Sequence, residues 1–110
     1  MIDVNEYIGT PYTELNCWGL VQKFYADNLN TIIRAEPTDK AEWMHWTPIN
    51  PGTESIHDLL VFRIRENKRH VGICLGRGKM IHSDELAGVV IENYKSVIWK
   101  DRLQIIYRRI

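Results

Sequence analysis

A helix-period stretch early in the chain, followed by a long run of strand-like segments, limits the folds open to it. Cys17, Leu20, Val21, Phe24, Tyr25 and Leu29 recur at i, i+3, i+4, i+7, i+8 and i+12, one buried face of a helix over 17–29. Asn16 is suited to cap its start. From Asp58 onward the chain reads as strands. Leu59 to Arg65 is β-rich, Glu66-Asn67-Lys68 is turn-like, and His70 to Leu75 and Lys79 to His82 flank the glycine-bearing loop Gly76-Arg77-Gly78. Val89 to Ile91 and Leu103 to Tyr107 supply two more strands. Helix first and strand meander after is an α+β order, with the helix packed on one face of an antiparallel sheet. The 110 residues allow one domain, 1–110, with one core. The rest is less regular. Residues 3–8 read as a short helix closed by Gly9-Thr10-Pro11, and Thr38 or Asp39 as the cap of another running through Trp46. Pro48, Pro51 and Gly52 then mark a loop.

Charge and cysteine usage narrow the partners. The formal net charge is zero, so no global field recommends nucleic acid. The halves differ, however: residues 1–60 hold three Lys/Arg against nine Asp/Glu, and residues 61–110 hold eleven against five. Such a split suits either two lobes that attract each other or a basic surface turned to an anionic polymer or partner. No run approaches the ~18 apolar residues of a membrane span, and Met-Ile-Asp-Val-Asn-Glu does not read as a signal peptide. The expectation is therefore a chain made in the cytoplasm. Two cysteines give no disulfide framework, and a reducing compartment suits a free thiol.

The chemistry-bearing residues are Cys17, His70 and His82. A thiol at a helix start feels unpaired amides and a dipole that favour the thiolate. With Arg77 at the centre of the hairpin loop, Gly72 lies opposite His82 and Cys74 opposite Met80. His70, Gly72, Cys74, Met80 and His82 then share one face. The two histidines become diagonal neighbours, and the missing side chain of Gly72 lets His82 lean toward His70. This suits a base oriented by a second polar ring. Zinc held by Cys17, His70 and His82 is the competing chemistry, but no pair among them has the close spacing of zinc motifs. No metal and no cofactor are expected. Cys74, His45 and His57 read as structural, and Gly76-Arg77-Gly78 as a turn.

Four blocks resemble the NlpC-type papain-like cysteine peptidases of bacterial cell-wall metabolism, above all the short phage-encoded members associated with tails. Gly9-Thr10-Pro11-Tyr12 is similar to the family's Gly-x-x-Tyr segment, and Asn16-Cys17-Trp18-Gly19-Leu20-Val21 to its nucleophile block. Asp58-Leu59-Leu60-Val61-Phe62 resembles the Gly-Asp-Leu-Val-x-Phe strand. His70-Val71-Gly72-Ile73-Cys74-Leu75-Gly76 with Met80-Ile81-His82 resembles the two histidine strands, at the family's interval of twelve.

The resemblance implies a papain-like fold with Cys17 as nucleophile, His70 as general base and His82 as the group that orients it. It implies Tyr12 as the hydroxyl beside the thiolate, and Asn16 and Trp18 on the substrate side. The implied substrate is a peptidoglycan stem or cross-link peptide, and the implied partners are phage tail proteins, with the chain in the virion acting at the host wall. The chain departs from the pattern in places. Asn16 stands where the family usually has Asp, the segment from Tyr12 to Cys17 lacks Gly-Gly, and His57 replaces a Gly. Two other readings share the fold: a catalytically silent tail subunit, and a cysteine amidase or acyltransferase on another substrate.

Overall fold

The computed structural model describes residues 3–34 and 40–110. The helix opens where Asn16 caps it: the Asn16 side chain accepts from the Gly19 N–H at 2.8 Å. It runs as α1, Cys17–Leu29, and ends at Asn30, whose left-handed backbone (φ 48°) turns its N–H back onto the Tyr25 carbonyl. A short α2, Lys40–Trp43, follows, then β1 (Trp46–Ile49), β2 (Leu59–Arg65), β3 (Lys68–Gly76), β4 (Lys79–Asp84) and β5 (Gly88–Asn93). A 3-10 turn at Lys100–Arg102 leads into β6, Leu103–Arg109. The six strands form one antiparallel sheet in the order β1-β6-β2-β3-β4-β5. The α+β expectation, a helix carrying Cys17 packed on an antiparallel sheet, is what the chain forms.

Two segments differ from expectation. Residues 5–9 make turns instead of a helix, because the backbone there is tied to β5. The Gly9 N–H donates to the Val89 carbonyl at 2.9 Å, and the Val89 N–H to the Thr10 carbonyl at 2.9 Å. Trp46–Ile49 is neither helix end nor loop but an edge strand on β6, a position that tolerates Pro48. It is anchored by Trp46, whose indole N–H donates to the buried Glu42 carboxylate at 2.6 Å. The cap expected at Thr38 or Asp39 lies outside the described residues.

The sheet is buried on both faces, which is why β2 begins with the unbroken apolar run Leu59 to Phe62. Leu59, Val61, Ile73, Ile81 and Val89 pack with Leu20, Val21, Phe24 and Tyr25 of α1. Leu60, Phe62, Cys74, Met80 and Ile106 pack on the other side under Tyr94 and Trp99. His57, just ahead of β2, holds a left-handed backbone (φ 78°). A glycine would sit there without strain.

The β3–β4 register is the one that parity required. Ile73 pairs with Ile81 and Cys74 with Met80, and the irregularity falls between Cys74 and Gly76, on the turn side of the histidines. Arg77 and Gly78 both have positive φ (55° and 76°), as a tight two-residue hairpin turn demands. A Cβ at Gly72 would lie 2.8 Å from Met80 Sδ and 3.4 Å from His82 Cβ. Toward residue 70 the ladder stops at Ile73 and Ile81, and that end of the hairpin holds the site.

Candidate active site

Cys17 is the first residue of α1 and is half-buried. Its thiol meets the Tyr12 hydroxyl and the backbone N–H groups of Val71 and Trp18. The Val71 contact puts the sulfur beside the residue that follows His70. The Ser83 hydroxyl donates to the Leu15 carbonyl at 2.5 Å and ties the approach to Cys17 to the end of β4. Burial pushes the Cys17 thiol up, against the pull of the Val71 and Trp18 amides and the Tyr12 hydroxyl. The helix start thus favours the thiolate as expected, but a dipole worth roughly 0.3–1 kcal/mol does not outweigh desolvation. Burial, then the neighbouring Cys17 and Glu85, raises Tyr12 as well.

The histidines meet as the hairpin parity predicts. His70 Nε2 and His82 Nδ1 are 2.8 Å apart, with the rings nearly perpendicular at 84°. Trp99 stacks on His70, with ring centroids 5.6 Å apart and an angle of 26°. Both imidazoles are buried. Burial first, and His82 second, lowers His70 from the ordinary 6.5 to about 4.

Beyond His82 lies a residue the sequence reading did not single out. His82 Nε2 is 3.0 Å from Glu92 Oε1, and the other Glu92 oxygen accepts the Trp99 indole N–H at 2.8 Å. A carboxylate that accepts from Nε2 of a neutral His82 leaves a lone pair at its Nδ1. His70 must then donate from Nε2, which leaves Nδ1 as its basic nitrogen. In that arrangement the Glu92 carboxylate, one contact beyond the ring pair, sets both tautomers. Glu92 was detectable in principle: it pairs with Met80 in the β4–β5 register and shares the histidine face, but the expected strand stopped at Ile91.

Other expected site residues divide. Asn16 is exposed at the helix start, but its side-chain oxygen is committed to the Gly19 N–H. Trp18 is not on the substrate side: it is buried in the core, its indole N–H donating to the Arg34 carbonyl at 2.9 Å. At about 100° per residue, the position after Cys17 turns away from the thiol. Cys74 is buried on the histidine face, its sulfur 3.8 Å from the Tyr94 hydroxyl. His57 packs on Phe24 and accepts the Tyr25 hydroxyl at its carbonyl. His45 is exposed, and its carbonyl takes the Ile110 N–H at 2.7 Å. Among the described residues no group of three or more His, Cys, Asp or Glu side chains is placed to hold a metal.

Comparisons with known proteins bear on the family and the fold. The model of the NlpC/P60 family matches residues 5–108. A murein DD-endopeptidase/murein LD-carboxypeptidase, MepS, of Escherichia coli K12 is 24% identical over 94 residues, 86% of this chain. The chain spans about half the length of that relative (49%). Among solved structures, an NLP/P60-family protein similar to a lipoprotein, from Staphylococcus aureus Mu50, superposes with a TM-score of 0.74 at 24% identity. It is covered over 38% of its length and covers 96% of this chain. The NlpC/p60 domain of the peptidoglycan hydrolase SagA gives 0.70 at 23% identity, with 94% of this chain and 91% of that one covered.

Proposed function

The chain belongs to the NlpC/P60 family, and from that premise we propose that it is a cysteine endopeptidase hydrolysing amide bonds in peptidoglycan stem or cross-link peptides. The observation that supports this reading is the Tyr12–Cys17 contact, with the Cys17 thiol also meeting the Val71 N–H next to His70, together with the His70–His82–Glu92 chain. His70 Nδ1 takes the Cys17 proton as the sulfur attacks the amide carbonyl. The Tyr12 hydroxyl and the Cys17 N–H receive the oxyanion. His70 then protonates the leaving amine, and water, activated by the same imidazole, releases the acyl group from sulfur.

The resting pair in this scheme is neutral: a raised thiol faces a lowered imidazole. Proton transfer therefore belongs to the attack step, when the developing oxyanion and the bound peptide stabilise the imidazolium. His82 and Glu92 act as positioning residues, holding the tautomer that presents the basic nitrogen.

The placement proposed for the chain is a phage tail, from which it acts at the host wall. The support is the likeness of its motif blocks to short tail-associated members, and a charge split that offers one half for docking and another for an anionic polymer. Purified virions should contain the polypeptide by mass spectrometry, and its absence there would overturn the placement alone. For the chemistry, turnover of soluble stem peptides should be abolished in His70→Ala and reduced but measurable in His82→Asn. Near wild-type rates for His70→Ala would overturn the assigned roles.

A further inference from the structure

His82 does more in this geometry than orient its neighbour. We propose that the positive charge created when Cys17 gives up its proton comes to rest on His82, with Glu92 as its fixed counter-charge, so that His70 passes protons on and stays neutral. The proposal rests on the cysteine-hydrolase reading of Cys17 and His70, and it adds where the charge is held.

The two imidazoles differ in their partners. His70 Nε2 meets His82 Nδ1 at 2.8 Å, and among the described residues no carboxylate is hydrogen-bonded to the His70 ring. His82 Nε2, by contrast, meets Glu92 Oε1 at 3.0 Å. Glu92 is held in that direction because its other oxygen takes the Trp99 indole N–H at 2.8 Å. The Trp99 ring also closes on both imidazoles, stacked on His70 and edge-on to His82. The other charges near the rings are engaged elsewhere. Glu85 is paired with Lys68, Asp84 accepts the Leu86 and Ala87 amides, Arg65 acts on Glu85, and Arg102 lies over the Trp99 ring.

Two imidazoles have the same intrinsic basicity, whereas an imidazole is a stronger base than a glutamate by about two pK units. A proton therefore moves readily between the rings and stops short of Glu92, as it does in a triad whose carboxylate stays ionised. Once protonated, His82 gains a charge-assisted hydrogen bond to Glu92 that His70 has no carboxylate to make. As sulfur bonds to the amide carbon and the C=O pair moves to oxygen, the Cys17 proton goes to His70 Nδ1 and the His70 Nε2 proton to His82 Nδ1. His82 is then doubly protonated and His70 neutral. As the oxyanion pair re-forms the carbonyl and the C–N bond breaks, His70 Nδ1 protonates the amine. His82 Nδ1 returns its proton to His70 Nε2, and the resting pair is restored.

The test reads the proton and its counter-charge separately. The rings titrate as a pair, so an added proton resides on whichever ring holds it better. In a nitrogen-15 NMR titration of the wild type toward acid, the first proton added to the pair should leave both His82 nitrogens with imidazolium shifts, while His70 keeps one unprotonated nitrogen. A first proton found on His70 would overturn the proposal. Glu92 can also be replaced from outside, because its side chain is 38% exposed and lines a cavity of about 450 Å³ beside the rings. Formate should raise kcat of Glu92→Ala on a stem peptide by about tenfold or more, the worth of one hydrogen bond to a charged group. Uncharged formamide, which has the same shape, should not. Equal rescue by both, or rescue by neither in a folded variant, would reduce Glu92 to a structural acceptor and overturn the counter-charge. If the wild type cleaves no peptide the hydrolase reading falls, and there, as with a Glu92→Ala protein that does not fold, the wild-type titration decides.

Discussion

Acidifying the protein from pH 7 to pH 5 should cost it about 2 kcal/mol of stability through His70 alone. The buried imidazole is held at about 4 against 6.5 in the unfolded chain. Between those values the unfolded state binds a proton that the native state refuses, so stability is full above 6.5 and is lost as pH falls toward 4. At about 1.4 kcal/mol per pH unit the whole window is worth about 3.5 kcal/mol, and the interval from 7 to 5 a little over half of it, about 2 kcal/mol. Urea denaturation of wild type and His70→Gln at pH 7 and 5 isolates the effect, because the lowered Asp27, Glu54 and His57, which do not face His70, are common to both. The wild type should lose about 2 kcal/mol more than the variant. The same lowered imidazole should carry the acid limb of kcat/KM down toward pH 4. Parallel losses in the two proteins, or an acid limb near 6.5, would refute the buried neutral His70.

Three further outcomes follow. Glu92→Gln can offer only one oxygen where two are used, so either Trp99 or His82 loses its acceptor; kcat should fall at least about tenfold with KM little changed, and an unchanged kcat would remove Glu92 from the chain of tautomers. Iodoacetamide near neutral pH should label half-buried Cys17 well before Cys74, which is 1% exposed, as read by peptide mass mapping; equal slow labelling would count against a competent Cys17. Gly72→Ala forces a methyl against Met80 Sδ and His82 Cβ and should destabilise by roughly 1–3 kcal/mol in urea melts, with activity falling alongside, whereas wild-type stability would show the hairpin has slack.

Local periodicity made much of this molecule legible. The 3.6-residue spacing from Cys17 to Leu29 marked α1 to the residue, and Asn16 declared its cap by residue type. The hairpin could be registered from its turn, and with it the meeting of His70 and His82, because side-chain parity needs only a count. What stayed hidden depends on contacts distant in sequence. β1 exists because Trp46–Ile49 finds β6 some sixty residues later, and the 5–9 segment turns because Val89 holds it. Trp99 arrives over the histidines from a segment without periodicity. Trp18 was misplaced by its nearness to Cys17 in sequence, which on a helix is not nearness of direction. The raised Cys17 thiol depends on burial, which composition does not report.

Cys17 is the proposed nucleophile toward amide bonds in peptidoglycan peptides. The measurement that meets it most directly is digestion of purified peptidoglycan by wild-type and Cys17→Ala protein, with every new terminus identified by mass. Wild type should release fragments with new amino and carboxyl termini within stem or cross-link peptides, and Cys17→Ala should release none. No new termini with the wild type, or the same termini from Cys17→Ala, would contradict it.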